Sequence, residues 1–207
     1  MVKTAFFSIC SLVILAGSGC STPPTADSPW ISLFDGQTLQ GWHALPGGSW
    51  QVDNGAILGV SPQSDPRHGI LLTDARYRDF TLRFQYQVLQ GNSGLYFRVD
   101  PVANELSVNG LQAEIDAAND AGGLYETGGR EWVVKPDPAE VQKYFKPGQW
   151  NEMTITARGR HLTVFVNGYK TADLPDDPGR LEGHIGLQLH GGMDMNVRFK
   201  NLKIKIF

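Results

Sequence analysis

Three short stretches set polar groups in step: Gly94-Tyr96-Arg98, Gln112-Glu114-Asp116 and Gly186-Gln188-His190. Their alternate residues are mostly apolar. Successive side chains of a strand point to opposite faces. Leu95, Phe97, Leu111, Ile115, Leu187 and Leu189 are therefore expected to face a core while the polar set faces away from it. A merely wet face is normally covered by Lys, Thr, Ser and Glu. Carboxylate, imidazole, guanidinium, phenol and amide groups interspersed with Gly instead suit a groove that a ligand enters, where they move protons or hold hydroxyls.

Positioning such a groove requires a sheet, and the chain supplies strands throughout. Phe80 to Val88 alternates cleanly between apolar and polar residues, and the same period recurs at 153–157, 162–166, 183–190 and 195–207. Shorter strands are expected at 30–34, 50–52, 56–60, 70–73, 94–99, 111–115 and 131–134. Asn167-Gly168 between Val166 and Tyr169 is a strong hairpin signal, since both positions tolerate positive φ. The one helix candidate is Pro138 to Phe145, ended by Lys146-Pro147-Gly148. Long connections fall at 37–49, 62–68 and 116–129. The last carries Gly122-Gly123 and Gly128-Gly129, which let a backbone approach a ligand closely. The pattern predicts an all-β sandwich of two antiparallel sheets with long loops.

Residues 1–19 read as an export signal: Lys3, an apolar stretch from Ala5 to Ala16, then small residues before Cys20. The apolar run is too short to span a bilayer as a helix. The small residues resemble a bacterial lipobox with Cys20 lipidated, although Gly17 stands where that motif prefers Leu, and ordinary secretion is the alternative. Residues 20–29 are Pro- and Ser-rich and suit a tether, leaving 30–207 as one domain. Ser21 after the cysteine fits an outer-membrane lipoprotein, so the expected location is the periplasm or cell envelope. Both cysteines, Cys10 and Cys20, lie in this leader. A domain disulfide, a Cys nucleophile and a thiolate metal site are thereby excluded. With 18 Lys and Arg against 21 Asp and Glu and no basic cluster, nucleic acid is not an expected partner.

An ordered set of short motifs then becomes specific: Phe34-Asp35-Gly36, Leu39-Gln40-Gly41-Trp42, Asn54-Gly55, Asp79-Phe80, Gly91-Asn92-Ser93-Gly94-Leu95-Tyr96-Phe97-Arg98, Trp150-Asn151 and Gly183-His184-Ile185-Gly186-Leu187-Gln188. From about residue 30 to the C-terminus the chain resembles the 3-keto-disaccharide hydrolase family, also known as domain of unknown function 1080. The resemblance implies a concanavalin A-like jelly roll with a sugar-binding sheet. For some members it implies cleavage of disaccharides already oxidised at carbon 3, with a separate oxidoreductase as the source of the ketone. One departure stands out: many relatives read Glu-x-Gln before the Asp, whereas here the order is Gln112-Ala113-Glu114-Ile115-Asp116. Both groups stay on one face, but which position carries the proton chemistry is left open.

A ketone at carbon 3 acidifies the hydrogen on carbon 2, so the glycosidic bond can leave by elimination, with water adding afterwards. That route needs a base, donors for the enolate oxygen and an acid for the leaving oxygen. Glu114 is the first choice for the base, the alternative being a structural ion pair with Arg98. The Arg98 fork suits enolate or hydroxyl recognition, and His190 suits acid or base work. Tyr96, Gln112, Asp116, Gln188 and Asn92 are candidate sugar contacts, with turn and strand-end roles as alternatives for Asp116 and Asn92. Trp42, Tyr125 and Trp132 are candidate loop platforms for a sugar ring, while Trp30, Trp50 and Trp150 are expected in the core. No metal or cofactor is expected to be required, although Asp116, Asn119 and Asp120 leave a structural Ca²⁺ conceivable without matching a dedicated loop motif. Two other classes stay open: a surface carbohydrate-binding module, and an ordinary glycosidase using Glu114 and Asp116, roughly 6.5 to 7 Å apart along one strand.

Overall fold

The computed structural model describes residues 1, 28–102, 107–117 and 119–207. Residues 2–27, with both cysteines and most of the expected export signal and tether, lie outside them. In chain order the strands are β1 (Ile31–Ser32), β2 (Trp42–Leu45), β3 (Ser49–Asp53), β4 (Ala56–Ser61), β5 (Gly69–Thr73), β6 (Phe80–Gln90), β7 (Asn92–Pro101), β8 (Val108–Asp116), β9 (Leu124–Thr127) and β10 (Glu131–Val134). A helix, α1 (Pro138–Tyr144), precedes β11 (Asn151–Arg158), β12 (His161–Val166), β13 (Tyr169–Leu174), β14 (His184–Leu189) and β15 (Met195–Ile206). One antiparallel sheet runs β13-β12-β11-β6-β15-β4-β3 with β1 beside β15, and the other runs β10-β9-β8-β7-β14-β5-β2. This is the all-β sandwich of two antiparallel sheets that the alternation predicts, in keeping with the concanavalin A-like jelly roll that the resemblance implies.

The core lies between the sheets. Leu82, Phe84 and Tyr86 of β6 meet Leu95 and Phe97 of β7, Ala113 and Ile115 of β8, and Ile185 and Leu187 of β14, all of them fully buried. Each is one half of an alternating pattern, so the opposite face of the second sheet is left to Tyr96, Gln112, Glu114 and Gln188. The hairpin at Asn167-Gly168 forms with φ of 50° and 82°, as its type requires. The helix starts where expected, with Asp137 accepting from Ala139 N at 2.8 Å and Pro138 opening the first turn.

Two of the expected loops contain strands. Residues 42–45 of the 37–49 connection pair with β5, and 124–127 of the 116–129 connection pair with β8. Trp42 is consequently not a loop platform: its ring is buried in the core and its Nε1 donates to Leu33 O at 2.7 Å. Trp30 differs in the other direction. It is 43% exposed, with the Arg83 guanidinium over its ring.

Candidate functional site

The cavity of about 380 Å³ on the outer face of the second sheet lies within the ~300–1,000 Å³ of ordinary small-molecule pockets. Register explains its floor. Tyr125, Gln112, Tyr96 and Gly186 stand opposite one another across β9, β8, β7 and β14, and Glu114 stands opposite Gly94 in the neighbouring row. Gln112 Nε2 donates to Glu114 Oε1 at 2.8 Å and to Gln188 Oε1 at 3.1 Å. Gln188 Nε2 in turn donates to the Tyr96 hydroxyl at 2.9 Å, which lies 3.3 Å from Thr127 Oγ1. Four strands, β7, β8, β9 and β14, are thus joined by one hydrogen-bonded chain of side chains. Among the described residues, Gln112 Oε1 is buried without a partner. A buried carbonyl left unpaired costs free energy, so this oxygen is an acceptor open to a hydroxyl in the cavity.

Glu114 is 5% exposed. Burial, followed by the nearby charges of Asp120 and Asp116, pushes its carboxyl up to about 8, against the opposing hydrogen bonds from Gln112 and Asn92. A carboxyl with that affinity for a proton is suited to taking one from carbon near neutral pH.

The walls come from β9, β10 and two turns. Tyr125 and Trp132 meet edge to face with ring centroids 5.5 Å apart, and Lys135 Nζ lies 5.0 Å from the Trp132 ring. Both rings line the cavity, as do Asn92, Ser107, His68 and His190. The two imidazoles are 4.6 Å apart and nearly perpendicular. The backbone of Gly191 touches both: its N–H donates to His68 Nδ1 at 3.2 Å, and its carbonyl accepts from His190 Nδ1 at 2.8 Å.

Of the residues expected from sequence, Glu114, Gln112, Tyr96, Gln188, Asn92, His190, Tyr125 and Trp132 come together here. Arg98 does not. The pairing of β7 with β8 is interrupted between Phe97 and Asp100, that with β14 shifts at the same place, and Arg98 takes a φ of 53°. This bulge reverses the alternation, so Val99 joins Tyr96 on the outer face while Arg98 turns elsewhere. Its guanidinium, 3% exposed, donates to Arg78 O and Gly159 O at 2.7 Å each and to Asp79 Oδ1 at 3.0 Å. Neither an ion pair with Glu114 nor enolate recognition is open to it. Asp116 is likewise occupied, its Oδ2 accepting from Asn119 N at 2.7 Å and Asp120 N at 3.2 Å, which is the turn role.

His68, Ser107 and Thr127 line the cavity without having been expected from sequence. Thr127 had a signal, lying two residues after Tyr125 on what proves to be a strand. His68 ends the 62–68 connection, whose shape depends on Asp65. That carboxylate accepts from Gly48 N and Arg67 N at 3.1 Å each and pairs with the Arg67 guanidinium. The Arg67 guanidinium and these backbone bonds hold Asp65 well below the usual carboxylate range. Among the described residues, no three His, Cys, Asp or Glu side chains are grouped so as to hold a metal ion.

The description "3-keto-alpha-glucoside-1,2-lyase-like domain" matches residues 29–205. The chain belongs to this family. No curated protein matches it significantly in sequence. Solved structures share the fold: a candidate glycosyl hydrolase from Parabacteroides distasonis is 21% identical with a TM-score of 0.65, over 86% of this chain and 94% of that one. The carbohydrate-binding module CBM66 from Bacillus subtilis is 20% identical with a TM-score of 0.63, over 80% and 95%. A Bacillus subtilis protein of unknown function with a galectin-like fold is 13% identical with a TM-score of 0.62, over 80% and 89%.

Proposed function

We propose that the chain is a sugar-active enzyme that cleaves 3-keto-glycosides or 3-keto-disaccharides by elimination followed by hydration. The observation that carries this reading is the isolation of Glu114. It is the one carboxylate among the described residues lining the cavity, it is buried, and its proton affinity is raised. A two-carboxylate glycosidase needs a second acid facing the same substrate, and Asp116 is committed to its turn. Elimination needs one base and neutral donors, which this floor supplies.

In the proposed reaction Glu114 takes the proton from carbon 2, and the electron pair passes to the carbon-3 oxygen as an enolate. Its collapse forms the carbon 1–carbon 2 double bond and expels the glycosidic oxygen. His190, whose Nδ1–H is given to Gly191 O, has its lone pair on Nε2 and through it holds the water that protonates that oxygen. The hydroxide left from that water adds to carbon 1, and Glu114 returns a proton to carbon 2. Tyr125 and Trp132 offer flat faces to the sugar ring, and Gln112 Oε1 accepts a hydroxyl.

The test is sugar release from a 3-keto-disaccharide and from its unoxidised parent. Cleavage of the keto sugar alone supports the reading. Binding of either sugar without turnover moves the chain to the binding-module class, and cleavage of the parent to the ordinary glycosidases. No cofactor or metal is part of this proposal. We further propose that the chain is an exported lipoprotein anchored through Cys20 and supplied by a sugar 3-oxidoreductase. Palmitate labelling that Cys20→Ala abolishes is the corresponding check.

A further inference from the structure

With Arg98 turned away, the enolate oxygen needs another donor, and we infer that His68 supplies it through a neutral Nε2–H; this assignment rests on the elimination reading. The assignment starts from the backbone of Gly191. A backbone N–H only donates, so the 3.2 Å contact makes His68 Nδ1 an acceptor and leaves the ring's proton on Nε2. A backbone carbonyl only accepts, so the 2.8 Å contact makes His190 Nδ1 a donor and leaves Nε2 as the lone-pair side. The two backbone groups of one residue, Gly191, therefore fix two adjacent imidazoles in opposite tautomers. Both line the cavity, one offering a hydrogen-bond donor and the other an acceptor.

The arrangement is held rigidly. A side chain at Gly191 would collide with the Pro66 carbonyl, and Gly192 N donates to Asp65 O at 2.7 Å. Gln63 N donates to Asp194 Oδ1 at 2.8 Å, a second clamp between the 62–68 connection and the turn after β14. Burial and the neighbouring His190 also lower the affinity of His68 for a second proton. A neutral imidazole whose Nδ1 is already occupied is a poor proton donor in the full sense but a good electrophile. It polarises a ketone and stabilises the enolate without giving up its proton, so no imidazolate forms and the proton balance of the reaction is unchanged.

The experiment uses the full chain carrying Glu114→Gln, which is expected to bind the ketone without consuming it, and a 3-keto-glucoside labelled with ¹³C at carbon 3. The infrared carbonyl band of the bound sugar is read with and without His68→Ala. The expected result is a band displaced to lower frequency in Glu114→Gln and returned toward its solution position in the double variant. His68→Gln, which restores a side-chain N–H, should recover part of the displacement. In the otherwise native chain, His68→Ala should lower kcat by roughly 10²–10³-fold, the loss typical of an oxyanion donor. A displaced band that His68→Ala and His68→Gln leave in place overturns the assignment. A chain that binds no ketone shows no bound band at all, which overturns the elimination reading and the role of His68 with it.

Discussion

Gln112 lies flat across Gly94, its side chain occupying the space that any β-carbon at position 94 would need. Because Gly94 stands opposite Glu114 on the neighbouring strand, that missing side chain is what lets one amide reach both Glu114 and Gln188. Gly94→Ala is therefore expected to push Gln112 off the floor. Overpacking of this kind costs about 1–3 kcal/mol. Thermal unfolding should show the loss of stability, and turnover per folded molecule should fall as well, since Glu114 loses the donor that orients it.

The raised proton affinity of Glu114 has a kinetic sign and a thermodynamic one. A base acts when deprotonated, so kcat/KM should rise with pH and level off above about 8. Besides Glu114, the charged and polar groups affecting this limb are Asp120, Asp116, Gln112 and Asn92.

For stability, the folded state holds the Glu114 proton up to about 8 whereas the unfolded chain releases it near the ordinary glutamate value of 4.5. Between those limits the folded state binds more protons, so stability falls as pH rises and then becomes flat. Glu114→Gln should remove that slope and leave the variant more stable than the native chain at pH 8. Denaturant titrations at pH 4.5 and pH 8 check this.

Arg98 should behave as a structural residue. Arg98→Met removes the buried guanidinium that serves the part-buried carbonyls of Arg78 and Gly159 and the Asp79 carboxylate, and hydrogen bonds to charged groups are worth about 1.5–3 kcal/mol each. The expected outcome is a large drop in the denaturation midpoint with little change in turnover per folded molecule. Equal stability with lost turnover would return Arg98 to the site.

The Tyr125 and Trp132 wall should act on binding. Trp132→Ala removes a stacking face and is expected to raise KM about tenfold, a loss near 1.4 kcal/mol, while kcat changes little. Steady-state kinetics separate the two.

Much of this site was legible because a strand's period of two leaves little freedom. Once Leu95, Phe97, Ala113, Ile115 and Leu187 are assigned to the core, Tyr96, Gln112, Glu114 and Gln188 must share the other face. The inference failed at Arg98, where the bulge reverses the alternation; a non-glycine residue at positive φ leaves no mark in a hydrophobic pattern. It failed at Trp42 because a four-residue strand, β2, hides inside a long connection. His68 was invisible for a different reason. Its place depends on the Asp65 turn and on the fit of Gly191 against Pro66, contacts between segments more than 120 residues apart.

The central claim is that Glu114 removes the proton on carbon 2, and a single turnover of a 3-keto-disaccharide in D₂O tests it most directly. The mixture is quenched before buffer alone exchanges that position. The account predicts that the native chain releases sugar carrying deuterium at carbon 2, and that Glu114→Gln releases sugar roughly 10²–10⁴-fold more slowly. Cleavage by Glu114→Gln at the native rate, with protium retained at carbon 2, would contradict it.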